Sequence, residues 1–342
     1  MKNSITYRLS YGILIIVLFG VFFINIGLGS VSIPFKEVLI ALTGGEVSKE
    51  SWKYIILNYR LPKAFTAILV GSGLSLSGLL MQTLFRNPLA GPFVLGISSG
   101  ASLGVSLLVL GSSFIAGSSL LAVSSASIAI AASLGSFLVL MAVMVVASKI
   151  RDTMAILIIG LMFGSITTAI VSVLSYFSNS EKLQQYIFWT FGSLGDLSWN
   201  ALLLFSIIIT LGILMSIYSL KSLNSLLLGE NYAKSLGLNI KKSRFLIIIA
   251  TSLLAGSVTA FAGPIAFIGL AVPHLTKQIF NTTNHRILLP AILLYGAIIM
   301  LICDTIAQLP SSDYTLPINA ITSLVGAPVV IWLLTRKRKM IF

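Results

Sequence analysis

Leu9–Gly29 reads LSYGILIIVLFGVFFINIGLG, a run without a charged residue. A hydrocarbon core about 30 Å thick asks for roughly 20 apolar residues in a helix that rises 1.5 Å per residue, so this run is long enough to cross a bilayer. Lys2 and Arg8 precede it. It exceeds the h-region of a signal peptide and no A-x-A-like cleavage site follows, which predicts a retained first membrane helix.

Runs of the same kind recur to the far end of the chain. Of 342 residues, 57% are apolar and 9% charged, whereas a soluble domain carries about a quarter charged residues. A water-soluble surface cannot be assembled from this composition. Breaks at glycine, proline and charged residues place further crossings near 61–85, 92–112, 119–147, 154–177, 200–220, 244–263, 268–281, 287–309 and 316–335. The expected fold is an all-α polytopic membrane protein of about ten transmembrane helices, one domain over residues 1–342. Segment 268–281 is too short to span alone, and with Pro264 and Pro273 it predicts a broken helix facing protein or a cavity rather than lipid.

Basic residues in short loops mark the cytoplasmic side. With the N-terminus inside, Lys2, Arg8, Arg86, Lys149, Arg151, Lys221, Lys234, Lys241, Lys242, Arg244, Lys277, Arg286 and the run at 336–339 share one side. Lys36, Lys49, Lys53, Arg60, Lys63 and Lys182 lie on the other. This asymmetry predicts that both termini are cytoplasmic. The net charge of +13 is spread between apolar spans and not gathered with aromatics, which argues against nucleic acid as a partner. The single cysteine, Cys303, permits no disulfide framework, and His274 and His285 are too few for a metal site or proton relay.

Segments 30–58 and 179–199, with Trp52, Tyr54, Trp189 and Trp199, read as external amphipathic stretches. The longest cytoplasmic connection, 221–243, is polar and helix-compatible, the natural grip for a cytosolic partner. Residues 89–96 (LAGPFVLG) echo 261–269 (FAGPIAFIG) with one residue inserted, as an inverted repeat would show. Gly96, Gly100 and Gly104, and separately Gly160, Gly164 and Ser165, offer small faces for close helix packing.

Asp304 is the one carboxylate expected within a span, and an isolated charge there costs about 2.5–3.5 kcal/mol on insertion scales. Its bland reading is a helix-end group near the outer interface, bonded to neighbours such as Thr305. The alternative function is an ion-gradient-driven secondary transporter, for which Asp304 is the needed residue. No G-x-x-x-x-G-K-[ST] phosphate loop occurs, so any ATP motor is another polypeptide.

Several ordered motifs then carry a resemblance. They are Arg60-Leu61-Pro62-Lys63, Ser77-Gly78-Leu79-Leu80-Met81-Gln82, Asn87-Pro88-Leu89-Ala90 and Leu95-Gly96. In the second half come Leu228-Gly229-Glu230, Ala233, Leu236-Gly237-Leu238, Phe267-Ile268-Gly269-Leu270, Pro273-His274, His285-Arg286, Leu288-Leu289-Pro290 and Gly326-Ala327-Pro328. Over residues 8–335 the chain resembles the FecCD/BtuC-type permeases, which import ferric siderophores, haem and vitamin B12 through ABC transporters of the bacterial inner membrane.

The resemblance implies a permease subunit and not an enzyme. It implies two copies of an ABC ATPase that use the ATP, a second permease copy or a paralogue, an extracytoplasmic substrate-binding protein, and no covalent cofactor. Leu228, Gly229, Glu230, Ala233 and Gly237 match the coupling helices that grip the ATPase. Asn87, Leu89, Asp152 and Thr153 match the cytoplasmic gate. Arg60 and Lys63 match the positions that receive the acidic residues of the binding protein, and the third docking position, an arginine in the family, is Gln308. Thr315 replaces a glutamate, Asn319 a glycine, Asn284 an aspartate and Lys277 an arginine, and with Gln308 in place of the arginine the docking charge pattern departs from the usual one.

Overall fold

The computed structural model describes residues 4–111, 124–147, 150, 153–310, 312 and 314–335. Among the described residues every regular element is helical. In chain order the α-helices are α1 (Ser4–Gly27), α2 (Phe35–Leu42), α3 (Glu50–Ile55), α4 (Leu61–Leu84), α5 (Ile97–Val109), α6 (Ser125–Ala147), α7 (Thr153–Tyr176) and α8 (Ser180–Phe191). There follow α9 (Trp199–Tyr218), α10 (Leu220–Leu227), α11 (Glu230–Ser235), α12 (Ile240–Thr251), α13 (Ser257–Ala262), α14 (Ile268–Phe280), α15 (His285–Ala307) and α16 (Ile318–Thr335). Two π-helical turns, Ile56–Arg60 and Ser252–Gly256, join α3 to α4 and α12 to α13 without a break.

Seven of these stretches are long and apolar enough to cross a membrane: Tyr7–Gly27, Glu50–Leu84, Ser125–Val146, Ala155–Tyr176, Trp199–Tyr218, Ile240–Ala262 and His285–Ala307. The three other expected crossings coincide with shorter helices, α5 and α14 at 13 residues each and α16 at 18. The reason is local chemistry. Before α5 the Gly-Pro stretch makes a 3-10 turn, Pro92–Leu95, ended by left-handed Gly96, and before α14 residues 263–266 are non-helical and end at left-handed Phe267, so each of these two helices starts late.

The two echoing stretches also share geometry. Gly96 (φ +76°) precedes α5, and Phe267 (φ +66°) precedes α14, each a left-handed residue at the start of a 13-residue helix. They touch, because a Cβ added at Gly269 would fall 2.9 Å from Pro92 Cδ.

Position in the bundle follows the pattern of small residues. The most apolar window of Glu50–Leu84 is 83% buried, against 17% for Tyr7–Gly27, so α4 is central and α1 peripheral. Lipid supplies no hydrophobic drive between helices, and close packing of small residues holds them instead. A Cβ on Gly78 would fall 1.7 Å from Gly269 O of α14, and one on Gly71 would fall 2.2 Å from Gly296 O of α15. The α5–α6 pair uses the same device at Gly100 with Gly135 and at Gly104 with Ala131.

Candidate functional site

The expected site residues gather at the two ends of α4. At its first end, the arginine and lysine of the Arg60–Lys63 motif sit one helical turn apart. Arg60 is 8% exposed. Its guanidinium donates to Ile26 O (2.7 Å) and Gly27 O (3.0 Å), which the C-terminus of α1 leaves without intrahelical partners, and to Val31 O in the loop beyond. It therefore fixes where α1 ends. Lys63 Nζ lies 3.1 Å from Asp304 Oδ1.

Asp304, 1% exposed, is thus placed inside a complete shell. Its second oxygen accepts from Asn25 Nδ2 (2.9 Å) and from Gln308 Nε2 (2.7 Å). Asn25 also donates to Thr305 Oγ1 at 3.0 Å. A buried charge is tolerated when it is both paired and hydrogen-bonded, and this one is. The neighbour expected from sequence, Thr305, enters through Asn25, while Lys63 and Gln308 supply direct contacts.

Arg60, Lys63, Asp304, Gln308 and Thr315 border one cavity of about 760 Å³. Its far wall comes from Phe188, Phe191 and the turn after α8. Asn319 stands apart from the cavity, where its Oδ1 accepts from Ala266 N (3.1 Å) and holds the extended stretch before α14.

The opposite end of α4 carries the other residues. Arg86 takes a left-handed φ of +46° as the chain leaves the helix. Asn87 Oδ1 accepts from Leu89 N (2.9 Å), and His274 Nε2 donates to Pro88 O (2.8 Å), which ties this loop to α14. Leu89 is exposed. Thr153 is the first residue of α7, and Asp152 lies outside the described residues.

Beside this loop stand α10 and α11, hinged at Gly229 (φ +103°, ψ 152°) and closed by Gly237 (φ +80°). Ala233 is fully buried, while Leu228, Tyr232 and Leu236 are exposed. Glu230 Oε1 lies 2.9 Å from Arg244 Nη2 of α12. A cavity of about 730 Å³ opens between Leu84–Arg86 and Leu228–Tyr232.

One cluster here was not read from the sequence. Asn224 Oδ1 accepts the backbone N–H of His285 (3.0 Å), which fixes the orientation of the amide. His285 Nδ1, 2.8 Å from the same oxygen, must then carry a proton. Nε2 lies 2.8 Å from the Thr83 hydroxyl, which itself donates to Leu79 O (2.9 Å). His285 thus joins α10, α15 and the end of α4. The available signal was a histidine at the start of a helix in an apolar protein, too weak to name its partners.

The sequence profile of the FecCD transport family matches residues 14–336. The hemin transport system permease protein HmuU of Yersinia pestis is 34% identical over 340 residues, 99% of either chain. The vitamin B12 import system permease protein BtuC of Klebsiella pneumoniae is 37% identical over 309 residues, 88% of this chain and 90% of that one. Among solved structures, an inward-facing transporter assigned to the metal-chelate type of ABC transporters superimposes with a TM-score of 0.82 at 31% identity, covering 96% of this chain and 98% of that chain. Agreement in sequence and in fold along nearly the full length of both partners, with the expected motifs in order at the ends of α4, means that this chain belongs to the FecCD transport family.

Proposed function

We propose that this chain is the transmembrane permease subunit of an ATP-binding-cassette importer that moves a metal chelate across the bacterial inner membrane by alternating access. Its relatives are permease proteins for hemin and vitamin B12, which supports a cargo among ferric siderophores, haem and cobalamin. In this reading the single domain crosses ten times with both termini cytoplasmic, with α5, α14 and α16 supplying the three shorter passages. The basic residues support that orientation. Arg86, Lys221, Lys234, Lys241, Lys242, Arg244, Lys277 and Arg286 fall on elements at the His285 end of the bundle, the side favoured for Lys and Arg.

The observation that carries the proposal is the α10–α11 pair. Two short helices, set by glycines at positive φ, present Leu228, Tyr232 and Leu236 outward around the buried Ala233. That is a compact knob with an apolar tip, braced on α12 by Glu230 and Arg244. Two ATPase subunits would each grip such a knob, one on this chain and one on a second copy or paralogue. ATP closure would then rock the bundles, and the gate that the family resemblance assigns to Asn87, Leu89, Asp152 and Thr153 would open or close the path.

At the other end an extracytoplasmic binding protein would dock over the cavity of Lys63 and Gln308. Arg60 would serve there by holding α1 and the loop beyond it, since three of its five N–H donors go to backbone carbonyls. Asp304, the carboxylate an ion-driven carrier needs, is committed to Lys63, Asn25 and Gln308, which supports the ATP-driven reading.

The test is reconstitution with the ATPase in liposomes, with hemin and cyanocobalamin as probes. Replacing Glu230 with alanine or Gly237 with valine, which cannot hold the φ of +80° found there, should lower uptake per ATP hydrolysed. Unchanged coupling in both variants, or gradient-driven uptake by the chain alone, would overturn the proposal.

A further inference from the structure

Three links and one interlock join α4 to α15 along their length. Lys63 meets Asp304 at one end (3.1 Å) and Thr83 meets His285 at the other (2.8 Å). Between them Ser72 Oγ donates to Leu293 O (2.9 Å), and Gly71 interlocks with Gly296 so closely that neither has room for a Cβ. Contacts in this order make the pair antiparallel. Lys63 and Thr83 stand 20 positions apart, which is roughly 30 Å along a helix.

We infer that α4 and α15 form a stiff strut between the α10–α11 knob and the cavity at the opposite end, and that His285 is the positioning residue through which the knob engages it. The inference rests on the proposed role of α10–α11 as the ATPase grip.

The geometry at His285 is what makes the strut an engaged one. A single α10 side chain, Asn224, makes three hydrogen bonds to the beginning of α15. Two go from the backbone N–H and Nδ1 of His285, and the third runs from Asn224 Nδ2 to Asn284 Oδ1 (3.3 Å). Asn284 is itself the N-cap, accepting from Arg286 N (3.0 Å). The imidazole then passes its other nitrogen to Thr83, so α10 is tied at once to both helices of the strut. His285 is 1% exposed, so its own polar atoms have little access to water if α10 withdraws. Moving α10 must therefore move the start of α15 and the end of α4 with it, or strand buried polar groups.

Along the strut there is no easy slip plane. The Gly71–Gly296 contact is backbone on backbone, and packed interfaces of this kind hold discrete arrangements rather than sliding continuously. At its far end the strut terminates in Asp304, whose partners Lys63 and Gln308 border the 760 Å³ cavity. A displacement at α10 thus arrives where that cavity opens. Such a pathway counts as coupling only when disturbing one end alters the response at the other.

Cys303 is the chain's single cysteine, so Cys303→Ser gives a background in which Thr315→Cys, on the rim of the cavity, is this chain's sole label site, with labelling read on its own gel band. The complex with its ATPase is placed in nanodiscs and the labelling rate by a membrane-impermeant maleimide is measured with and without ATP and vanadate. In the His285-intact protein the rate should change by about tenfold, within the usual span of allosteric coupling. In Thr83→Val, which preserves shape and deletes the hydroxyl, and in His285→Leu, the change should fall to about twofold or less. His285→Gln, which can still donate and accept, should restore part of it. An undiminished response in Thr83→Val overturns the strut, and this variant decides the matter if His285→Leu does not fold. A background protein that never responds to nucleotide would instead overturn the proposed function on which the inference rests.

Discussion

Lys63 Nζ lies 3.1 Å from Asp304 Oδ1, and the second oxygen of that carboxylate is filled by Asn25 and Gln308. The pair joins α4, α15 and α1 at one point. Asp304→Asn keeps the shape and removes the charge. Losing one partner of a fully buried pair costs about 3–5 kcal/mol. Lys63 keeps 24% of its side chain exposed, so it can turn to water, and the expected loss is about 1–3 kcal/mol. Thermal unfolding in detergent measures it. Lys63→Met combined with Asp304→Asn should cost less than the sum of the singles, and strict additivity would dissolve the pairing.

Glycine substitutions should divide sharply by position. Gly78→Ala puts a Cβ where Gly269 O already stands, and backbone on both sides prevents relief. Overpacking of this kind costs about 1–3 kcal/mol and sometimes more. Gly20→Ala on α1 meets nothing within 4 Å and should be neutral or stabilising, since alanine is the better helix former by roughly 0.5–1 kcal/mol. Size-exclusion profiles after heating should separate the two, and equal behaviour would refute the packing described for α4.

The contrast shows which parts of the fold could be read from the chain. Long apolar runs such as Leu9–Gly29 announce spanning helices, because burying a backbone in lipid admits no alternative to intrahelical hydrogen bonds. The α10–α11 knob was equally readable, since Gly229 and Gly237 mark turns within a polar stretch. What stayed hidden was pairing. Lys63 and Asp304 are far apart in sequence, and nothing local distinguishes a lysine aimed at a carboxylate from one aimed at a partner protein. Arg60 likewise turns inward to cap α1, a role set by where α1 happens to end. Asn25 was the missed hint, an amide in an otherwise apolar helix that needs a partner somewhere in the bundle.

The stretch between α1 and α4 should respond to acid. Glu37 Oε1 accepts from the Ser48 hydroxyl (2.5 Å) and Oε2 from the Ser48 N–H (2.9 Å), and these bonds, led by the hydroxyl, hold its carboxyl below the ordinary range. A lowered value in the folded state means the contact is fully present above the ordinary carboxylate pKa and fades as pH falls through the lowered value. Hydrogen exchange at the Ser48 amide should therefore accelerate at acid pH beyond its intrinsic rate. Glu37→Gln should show the faster exchange already at neutral pH, and a flat profile in the unaltered protein would remove the link.

The last prediction separates conformation from space at the knob. Gly229 holds φ +103° and ψ 152°, a region that is essentially glycine's alone and costs other residues about 1–3 kcal/mol. Space is not the obstacle, because an added Cβ would sit 3.5 Å from Arg86 Nη1, an ordinary contact. Gly229→Ala should thus loosen the turn between α10 and α11 by backbone strain alone, seen as faster amide exchange at Ala233, whose N–H donates to Gly229 O (2.9 Å). Gly237, at φ +80° with open space around it, should tolerate asparagine, which visits the left-handed region readily. If Gly237→Asn disturbs the knob as much as Gly229→Ala, the glycines act through something other than the backbone angles they hold.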